Sequence, residues 1–408
     1  MKWQIYILIV FIFLSFYGCQ QRITYKDIIE YGTPQEVRMS MKQLEKAVEI
    51  YKRAVEENKV TGIQLLVARH GKVVVHEAFG YRDLEHRIPM EKNTLIRMAS
   101  NTKTIVATGV LILAEDGLID LEDPVSNYLP GFEHGLSSRI QIKHLLSHTP
   151  GFEYTYHNFI GEVTLSSQEF LDAPSLRVEA IKIGRAGPMT EPGTMFLYNN
   201  FGYTTLGGLI EEVSGQKVDE FLQQRIYAPL GMTETSHLLY GIDSTRVSIN
   251  YLKIKDKWEV LPPEAPPFVR STGGLVTTVW DFAKFCQMFL NGGSYGRKRI
   301  LSQKMVKTAT SPLVQAQYQY GPPDRMRSLG MGSGWYLERD NRDLGIDMAY
   351  GYGWVISKDG SYNHAGFRGT FAYVNPNKNL IILIFAQSRE GGNPGQEFIK
   401  SVEAAVIE

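Results

Sequence analysis

The sequence predicts an α+β protein whose N- and C-terminal strands join in one antiparallel sheet, flanked by helices, around a mostly helical middle region. Three patterns carry that reading. Residues 61–83, TGIQLLVARHGKVVVHEAFGYRD, hold two Val- and Leu-rich runs broken at His70 and Gly71, a β-hairpin signal. From about 120 to 235 helical patterns dominate, punctuated by LPGF, HTPGF and EPGT. After about residue 350 short runs return, GYGWVIS, SYNHAG, GTFAYVNP and NLIILIFAQS, with SKDG and NPNKN as the plainest turns. One sheet closed from both ends of the chain, with a helical insertion, is the simplest arrangement that satisfies all three.

The chain opens on one positive charge, Lys2, then an apolar run from Ile5 to Leu14, then Gly18 and Cys19. That is the shape of an export signal. A small residue followed by cysteine resembles the bacterial lipoprotein signal, in which the cysteine thiol takes the lipid, although Phe16 stands where that signal usually has Leu. Residues 1–18 are therefore expected to be a lipoprotein-type signal peptide, with Cys19 as the lipid-attachment site. The body of the protein is expected in the bacterial cell envelope, held to the membrane through that lipid, in the periplasm or at the cell surface. An uncleaved apolar anchor is the alternative. Residues 19–40 are polar and without a sustained period, as in a tether, and 41–408 make the folded domain.

Within the domain, MKQLEKAVEIYKRAVEE (41–57) spaces Leu44, Val48, Tyr51 and Val55 as a helix does. From Ser100 to Glu115 the pattern is helical and apolar almost all round, so this helix is expected at the centre, with Gly117 placed to end it. FGYTTLGGLIEEVSG is a second clear helix, closed by Gly215, and GQEFIKSVEAAVIE ends the chain as a third. Cys286, in DFAKFCQMFL, reads as a small buried hydrophobe, and with Cys19 lipidated no disulfide framework is possible. Residues 311–350 have no clear period and are expected to form a loop over a site.

The 408 residues carry 43 basic and 43 acidic side chains, and no basic run is interleaved with aromatics, so nothing marks a nucleic-acid surface. The chemistry lies elsewhere. Ser100 and Lys103 form a Ser-x-x-Lys, and so do Ser214 and Lys217. A serine hydroxyl is a weak nucleophile until a base takes its proton. Three residues along a helix, Lys103 lies on the same face as Ser100, and burial would lower its pKa far enough for a neutral amine to act. The unpaired N–H groups at a helix start also favour developing negative charge. Ser214 ends a helix and Lys217 follows Gly215 in polar surroundings, so the first pair is the candidate. His144 and His148 have a spacing a zinc site could use, but no Glu follows the first His, and no metal or organic cofactor is expected.

MASNTKT, DGLIDLEDPVSNYLP and IKHLLSHTPGF together resemble the serine β-lactamase and penicillin-binding-protein superfamily, in its class C branch with the related esterases and D-peptidases. The resemblance spans about residues 45 to 390 and implies a β-lactamase/transpeptidase-like fold. The branch's second motif is Tyr-x-Asn, and of three such triplets, at Tyr156, Tyr198 and Tyr373, the context EPGTMFLYNNFGYTTLGGLIEEVSG selects Tyr198 and Asn200. At the place of the third motif, Lys-Thr-Gly, stand His364, Ala365 and Gly366. His-x-Gly is similar to what esterase-like and D-peptidase-like members carry.

The resemblance implies Ser100 as nucleophile and Lys103 with Tyr198 as the base system. Asn200 and His364 would contact substrate or the base. Gly366 would let the strand come close, and the backbone N–H groups of Ser100 and Phe367 would receive the oxyanion. Arg368 is a candidate for a substrate carboxylate in place of the missing lysine. The expected activity is a serine hydrolase working through an acyl-enzyme on a small-molecule or peptidoglycan-derived ester or D-amino-acid-containing amide. The alternatives are a true β-lactamase or D-alanyl-D-alanine carboxypeptidase, and, in a different class, a catalytically silent cell-wall-binding or sensor protein.

Overall fold

The computed structural model describes residues 28–152, 173–194, 196–237, 243–261, 268–315, 349–389 and 391–407. Its main sheet holds β1 (Glu30–Tyr31), β2 (Gly62–Arg69), β3 (Lys72–Asp83), β4 (Val314–Gln315), β5 (Ala349–Tyr350), β6 (Val355–Ile356), β7 (Tyr362–Gly366), β8 (Thr370–Asn375) and β9 (Leu380–Ala386). They lie in the order β1-β3-β2-β9-β8-β7-β6-β5-β4, with a short strand, Ile88–Pro89, on the flank of β3. All neighbours along that path are antiparallel except β1 against β3. The expected meeting of the two chain ends is β2 against β9, from Leu380 opposite Arg69 to Ala386 opposite Ile63. His70 and Gly71 both take positive φ, 51° and 76°, as the two-residue hairpin turn between β2 and β3 requires.

The principal helices are α1 (Met41–Glu56), α2 (Thr102–Glu115), α3 (Ile142–Leu146), α4 (Leu176–Ala186), α5 (Asn200–Ser214), α6 (Val279–Leu290) and α7 (Gly395–Glu403). They explain why the central strands read as unbroken apolar runs. On one face of the sheet, Ile63, Leu65 and Val67 of β2 and Leu380, Ile382 and Ile384 of β9 pack with Leu44 and Tyr51 of α1 and Phe398 and Val402 of α7. On the other, Leu66, Ala68, Ile381, Leu383 and Phe385 join a larger core with Phe282 and Phe285 of α6 and Ile105, Val106 and Val110 of α2. Successive side chains point to opposite faces, and both faces are covered. Each Val, Leu, Ile or Phe among them contributes about 1.5–3 kcal/mol by leaving water. All twelve residues from Thr102 to Leu113 of α2 are buried, as the all-round apolar pattern requires.

Residues 28–40, placed with the tether on sequence grounds, belong to the fold instead. β1 pairs with Lys72 and Val73, Val37 and Met39 are buried, and Met39 bridges to Val406. The stretch has no period because it is anchored at single points. Short strands not anticipated from the sequence also occur: Ile96–Arg97 and Ser236–His237 both pair with Leu275–Thr277. Among the described residues no helix is long and apolar enough to cross a membrane. The N-terminal apolar run, Cys19, Tyr156 and most of the 311–350 segment lie outside the described residues.

Candidate active site

Ile96 and Arg97 deliver the chain to the centre of the molecule, where Met98 N–H donates to the Leu275 carbonyl at 2.8 Å. The chain then turns sharply. Ala99 takes φ +47°, in the left-handed region that costs a non-glycine residue about 1–3 kcal/mol, and Ala99–Asn101 form one 3₁₀ turn leading into α2. Thr102 clamps this turn: its Oγ1 donates to the Ala99 carbonyl at 2.6 Å and accepts from Leu275 N–H at 3.1 Å. Ser100 is thereby held, half-buried, just ahead of the helix.

Lys103, one turn on, is fully buried, and burial lowers its pKa from 10.5 to about 7. Its Nζ lies 3.2 Å from Ser100 Oγ and donates to Asn200 Oδ1 at 2.9 Å and to the Thr272 carbonyl at 3.0 Å. A neutral amine has two N–H bonds and one lone pair. The two acceptors take the N–H bonds, which leaves the lone pair for the Ser100 hydroxyl. The arrangement can therefore draw the proton from Ser100 near neutral pH.

Asn200 is the first residue of α5, fixed by Asn199, whose side chain accepts from Gly202 N–H at 2.7 Å as the N-cap. Tyr198 sits two residues before, its ring centroid 5.1 Å from Lys103 Nζ. His148 holds this segment: its carbonyl accepts from Leu197 N–H at 2.8 Å and its Nδ1 from Asn199 N–H at 3.3 Å, while its ring lies 4.3 Å from that of Tyr198. Accepting at Nδ1 places the proton of neutral His148 on Nε2. Burial, with Lys103 and His364 close by, holds its pKa well below the ordinary value.

From the opposite side, β7 brings His364 to a ring separation of 6.2 Å from Tyr198. His364 is buried, with its pKa pushed down to about 3 by burial and then by Lys103, so it is neutral at working pH. Its Nδ1–H donates to the Ala365 carbonyl at 2.8 Å, which leaves Nε2 as an acceptor. Gly366 shows why glycine stands there: a Cβ would lie 2.3 Å from the Met98 carbonyl and 3.3 Å from Ala99 Cβ. The strand thus abuts the turn that presents Ser100. Phe367, 39% exposed, and half-buried Arg368 form the turn from β7 to β8, and the Arg389 guanidinium lies 3.6 Å from the Phe367 ring centroid.

The structure brings together Ser100, Lys103, Tyr198, Asn200, His364 and Gly366. It sets the other Ser-x-x-Lys apart: Ser214 Oγ donates to the Ile210 carbonyl at 2.6 Å, and the exposed Lys217 faces Glu211 at 3.9 Å. Tyr373, in the third Tyr-x-Asn triplet, lies in β8 with its hydroxyl on Glu403 at 2.8 Å. His144 and His148 part company, since His144 Nδ1 accepts from Gln141 N–H at the start of α3. Two participants were missed in the sequence. Thr272 acts through its carbonyl, which no side-chain pattern announces, and His148, weighed in the sequence only as a metal ligand, instead holds the segment that carries Tyr198. The Thr272 turn is fixed by Ser271 Oγ, which donates to the Tyr203 carbonyl at 2.9 Å, and by Arg270 on Glu179.

With this geometry in place, comparison with known proteins gives a consistent answer. The chain matches the profile of the Beta-lactamase family over residues 47–401 and belongs to that family, as a serine hydrolase. A Salmonella typhimurium protein whose name, D-alanyl-D-alanine carboxypeptidase, is itself provisional is 27% identical over 360 residues, covering 79% of this chain and 77% of the relative. Among solved structures, EstCE1, described as a hydrolase with promiscuous acyltransferase activity, superposes with a TM-score of 0.71 at 21% identity, covering 90% of this chain and 98% of its own. The D-amino acid amidase of Ochrobactrum anthropi gives 0.68 at 22% identity, with coverage of 89% and 98%. These two share the fold.

Proposed function

We propose that this protein hydrolyses an ester or a D-amino-acid-containing amide through an acyl-enzyme on Ser100. One observation carries the reading: the two N–H bonds of neutral Lys103 are taken by Asn200 and Thr272, and its lone pair faces the Ser100 hydroxyl. Ser100 Oγ attacks the substrate carbonyl as its proton passes to Lys103 Nζ. The tetrahedral oxyanion is received by the backbone N–H groups of Ser100 and Phe367. Collapse breaks the ester or amide bond, and the leaving alkoxide or amine takes the proton back from Lys103, with the Tyr198 phenol beside it as the carrier. Water then attacks the acyl-enzyme, giving its proton to the same base, which passes it to Ser100 Oγ as the acyl–oxygen bond breaks. Neutral His364 offers Nε2 as an acceptor to substrate or to Tyr198. The chain's own residues complete this cycle.

A D-alanyl-D-alanine carboxypeptidase of class C type is the second reading. The Arg389 guanidinium lies over Phe367, the residue assigned to the oxyanion, and Arg368 follows it in the chain, so either arginine is a candidate to meet a peptide carboxylate. The Salmonella relative's name points the same way. The protein is further read as an exported lipoprotein, cleaved before Cys19 and anchored through it in the cell envelope, acting on peptidoglycan-derived or small-molecule substrates. Intact-mass analysis with a fluorophosphonate or a slow acyl donor tests the main reading. One adduct is expected, on wild type and not on Ser100→Ala. Hydrolysis by Ser100→Ala at the wild-type rate would overturn it. A screen of short esters, cephalosporins and peptides ending in D-alanine separates the two substrate classes.

A further inference from the structure

Asn101, the residue directly after Ser100, is fully buried and belongs neither to the nucleophile nor to the base. Its carboxamide reaches across to the β7–β8 hairpin. Nδ2 donates to the His364 carbonyl at 3.0 Å, and Oδ1 accepts from Gly366 N–H at 3.2 Å and lies 3.0 Å from Thr370 Oγ1. The reversed amide would set oxygen against oxygen at His364 and N–H against N–H at Gly366, so the surroundings fix this orientation. Thr370, also fully buried, has its hydroxyl 3.0 Å from the Met98 carbonyl as well, so its one proton serves either acceptor. One side chain thus touches both arms of the hairpin.

The two N–H groups assigned to the oxyanion belong to different elements. Ser100 sits in the 98–101 turn, and Phe367 is the first residue after β7. Their separation is set by whatever ties those elements together, and Gly366 is already packed against Met98 with no room for a Cβ. We propose that Asn101 is a positioning residue: with Thr370 it locks β7 to the nucleophile turn and so fixes the spacing of the Ser100 and Phe367 N–H groups. The Lys103 network leaves Asn101 out, because its partners are Ser100, Asn200 and Thr272. Asn101 therefore acts on the oxyanion and leaves the base alone. A misplacement of 1 Å in a preorganised site is enough to cost about 100-fold in rate.

This inference rests on the acyl-enzyme reading, and the test separates the two. Hydrolysis of a p-nitrophenyl ester is measured for wild type, Asn101→Ala, Thr370→Val and Thr370→Ser, with active sites counted by endpoint fluorophosphonate labelling. Asn101→Ala is expected to lower kcat per labelled site by about 10- to 100-fold, with KM within about threefold of wild type and the acidic limb of the pH profile unmoved. Its affinity for phenylboronic acid, whose tetrahedral adduct places an oxygen in the same hole, is expected to fall in parallel. Thr370→Ser, which keeps the hydroxyl, should retain the activity that Thr370→Val loses, and that pair decides the matter if Asn101→Ala does not fold. Unlabelled wild type would sink the acyl-enzyme reading. Labelled, active wild type beside an Asn101→Ala enzyme with unchanged kcat per site and only a lower melting temperature would sink this proposal alone. So would a shifted acidic limb, which would mean that Asn101 works through Lys103.

Discussion

On the proposed mechanism, a lysine buried among two carbonyl-type acceptors and one hydroxyl must be neutral when the hydroxyl loses its proton. Burial brings the Lys103 pKa to about 7, so the fraction able to accept a proton rises as pH climbs through that value. kcat/KM for an ester substrate should therefore rise with a midpoint near pH 7. A flat profile between pH 5.5 and 8.5 would remove Lys103 as the base. His364, neutral down to about pH 3, should add no limb of its own in that range. The same burial carries a cost in stability. The unfolded chain binds the lysine proton up to the ordinary 10.5 and the folded one only to about 7, so between those values this group's penalty shrinks as pH rises. Lys103→Met should abolish turnover and yet melt higher than wild type at pH 7, by an amount on the order of a few kcal/mol less the two acceptors left unpaired. That advantage should narrow on going to pH 9, and thermal melts at the two pH values check it. An advantage that widened would mean the amine is charged in the folded protein.

Among the elements, β7 depends on contact closer than any side chain permits. Gly366→Ala would drive a methyl group to 2.3 Å from the Met98 carbonyl, so the strand must retreat from the nucleophile turn. A loss of about 100-fold or more in kcat is expected, with a folded protein by circular dichroism. Ser214→Ala, at the end of α5 and, among the described residues, bonded to its own helix and to Gln216, should stay within a few-fold of wild type in the same assay. The difference between these positions shows what the sequence could and could not disclose. The hairpin at His70–Gly71, the all-round apolar α2 and the Tyr-x-Asn context are strong because each is a run of side chains with one period or one order. β4, β5 and β6 are two residues each, too short to show any period. Thr272 contributes a carbonyl, and Asn101 hides as a spacer inside the Ser-x-x-Lys. His148 acts through its carbonyl and ring on the segment that carries Tyr198, which the zinc-like spacing with His144 does not announce. The side chains that meet at the site are legible in the sequence, whereas those that hold them in place act through backbone or through amide geometry and are not.

At the scale of the whole molecule the site is assembled from four distant stretches, 98–103, 198–200, 270–274 and 364–367, and the fold has to hold them in register. One long-range link is a charge pair between buried Glu179 and partly exposed Arg270. Arg270 Nη1 donates to both oxygens of Glu179 at 3.0 and 3.1 Å, joining α4 of the helical region to the turn whose Thr272 carbonyl meets Lys103. Burial outweighs the guanidinium, so the Glu179 carboxyl sits above its ordinary pKa even with Arg270 beside it. The two partners should not be equivalent. Arg270 is partly exposed, so Glu179→Gln leaves a cation that can reach water and should cost little. Arg270→Met strands a buried carboxylate and should cost about 3–5 kcal/mol at neutral pH. Without Arg270 the Glu179 pKa rises further above its unfolded value, and a raised carboxyl loses its stabilising contribution as pH rises through the folded pKa. The Arg270→Met deficit should therefore be smaller at pH 5 than at pH 8. Combining both substitutions should recover part of the loss, because the stranded charge is gone. Urea melts of the wild type, the two single variants and the double variant close this cycle. Strictly additive effects at both pH values would mean that the pair does not couple α4 to the turn that holds Lys103.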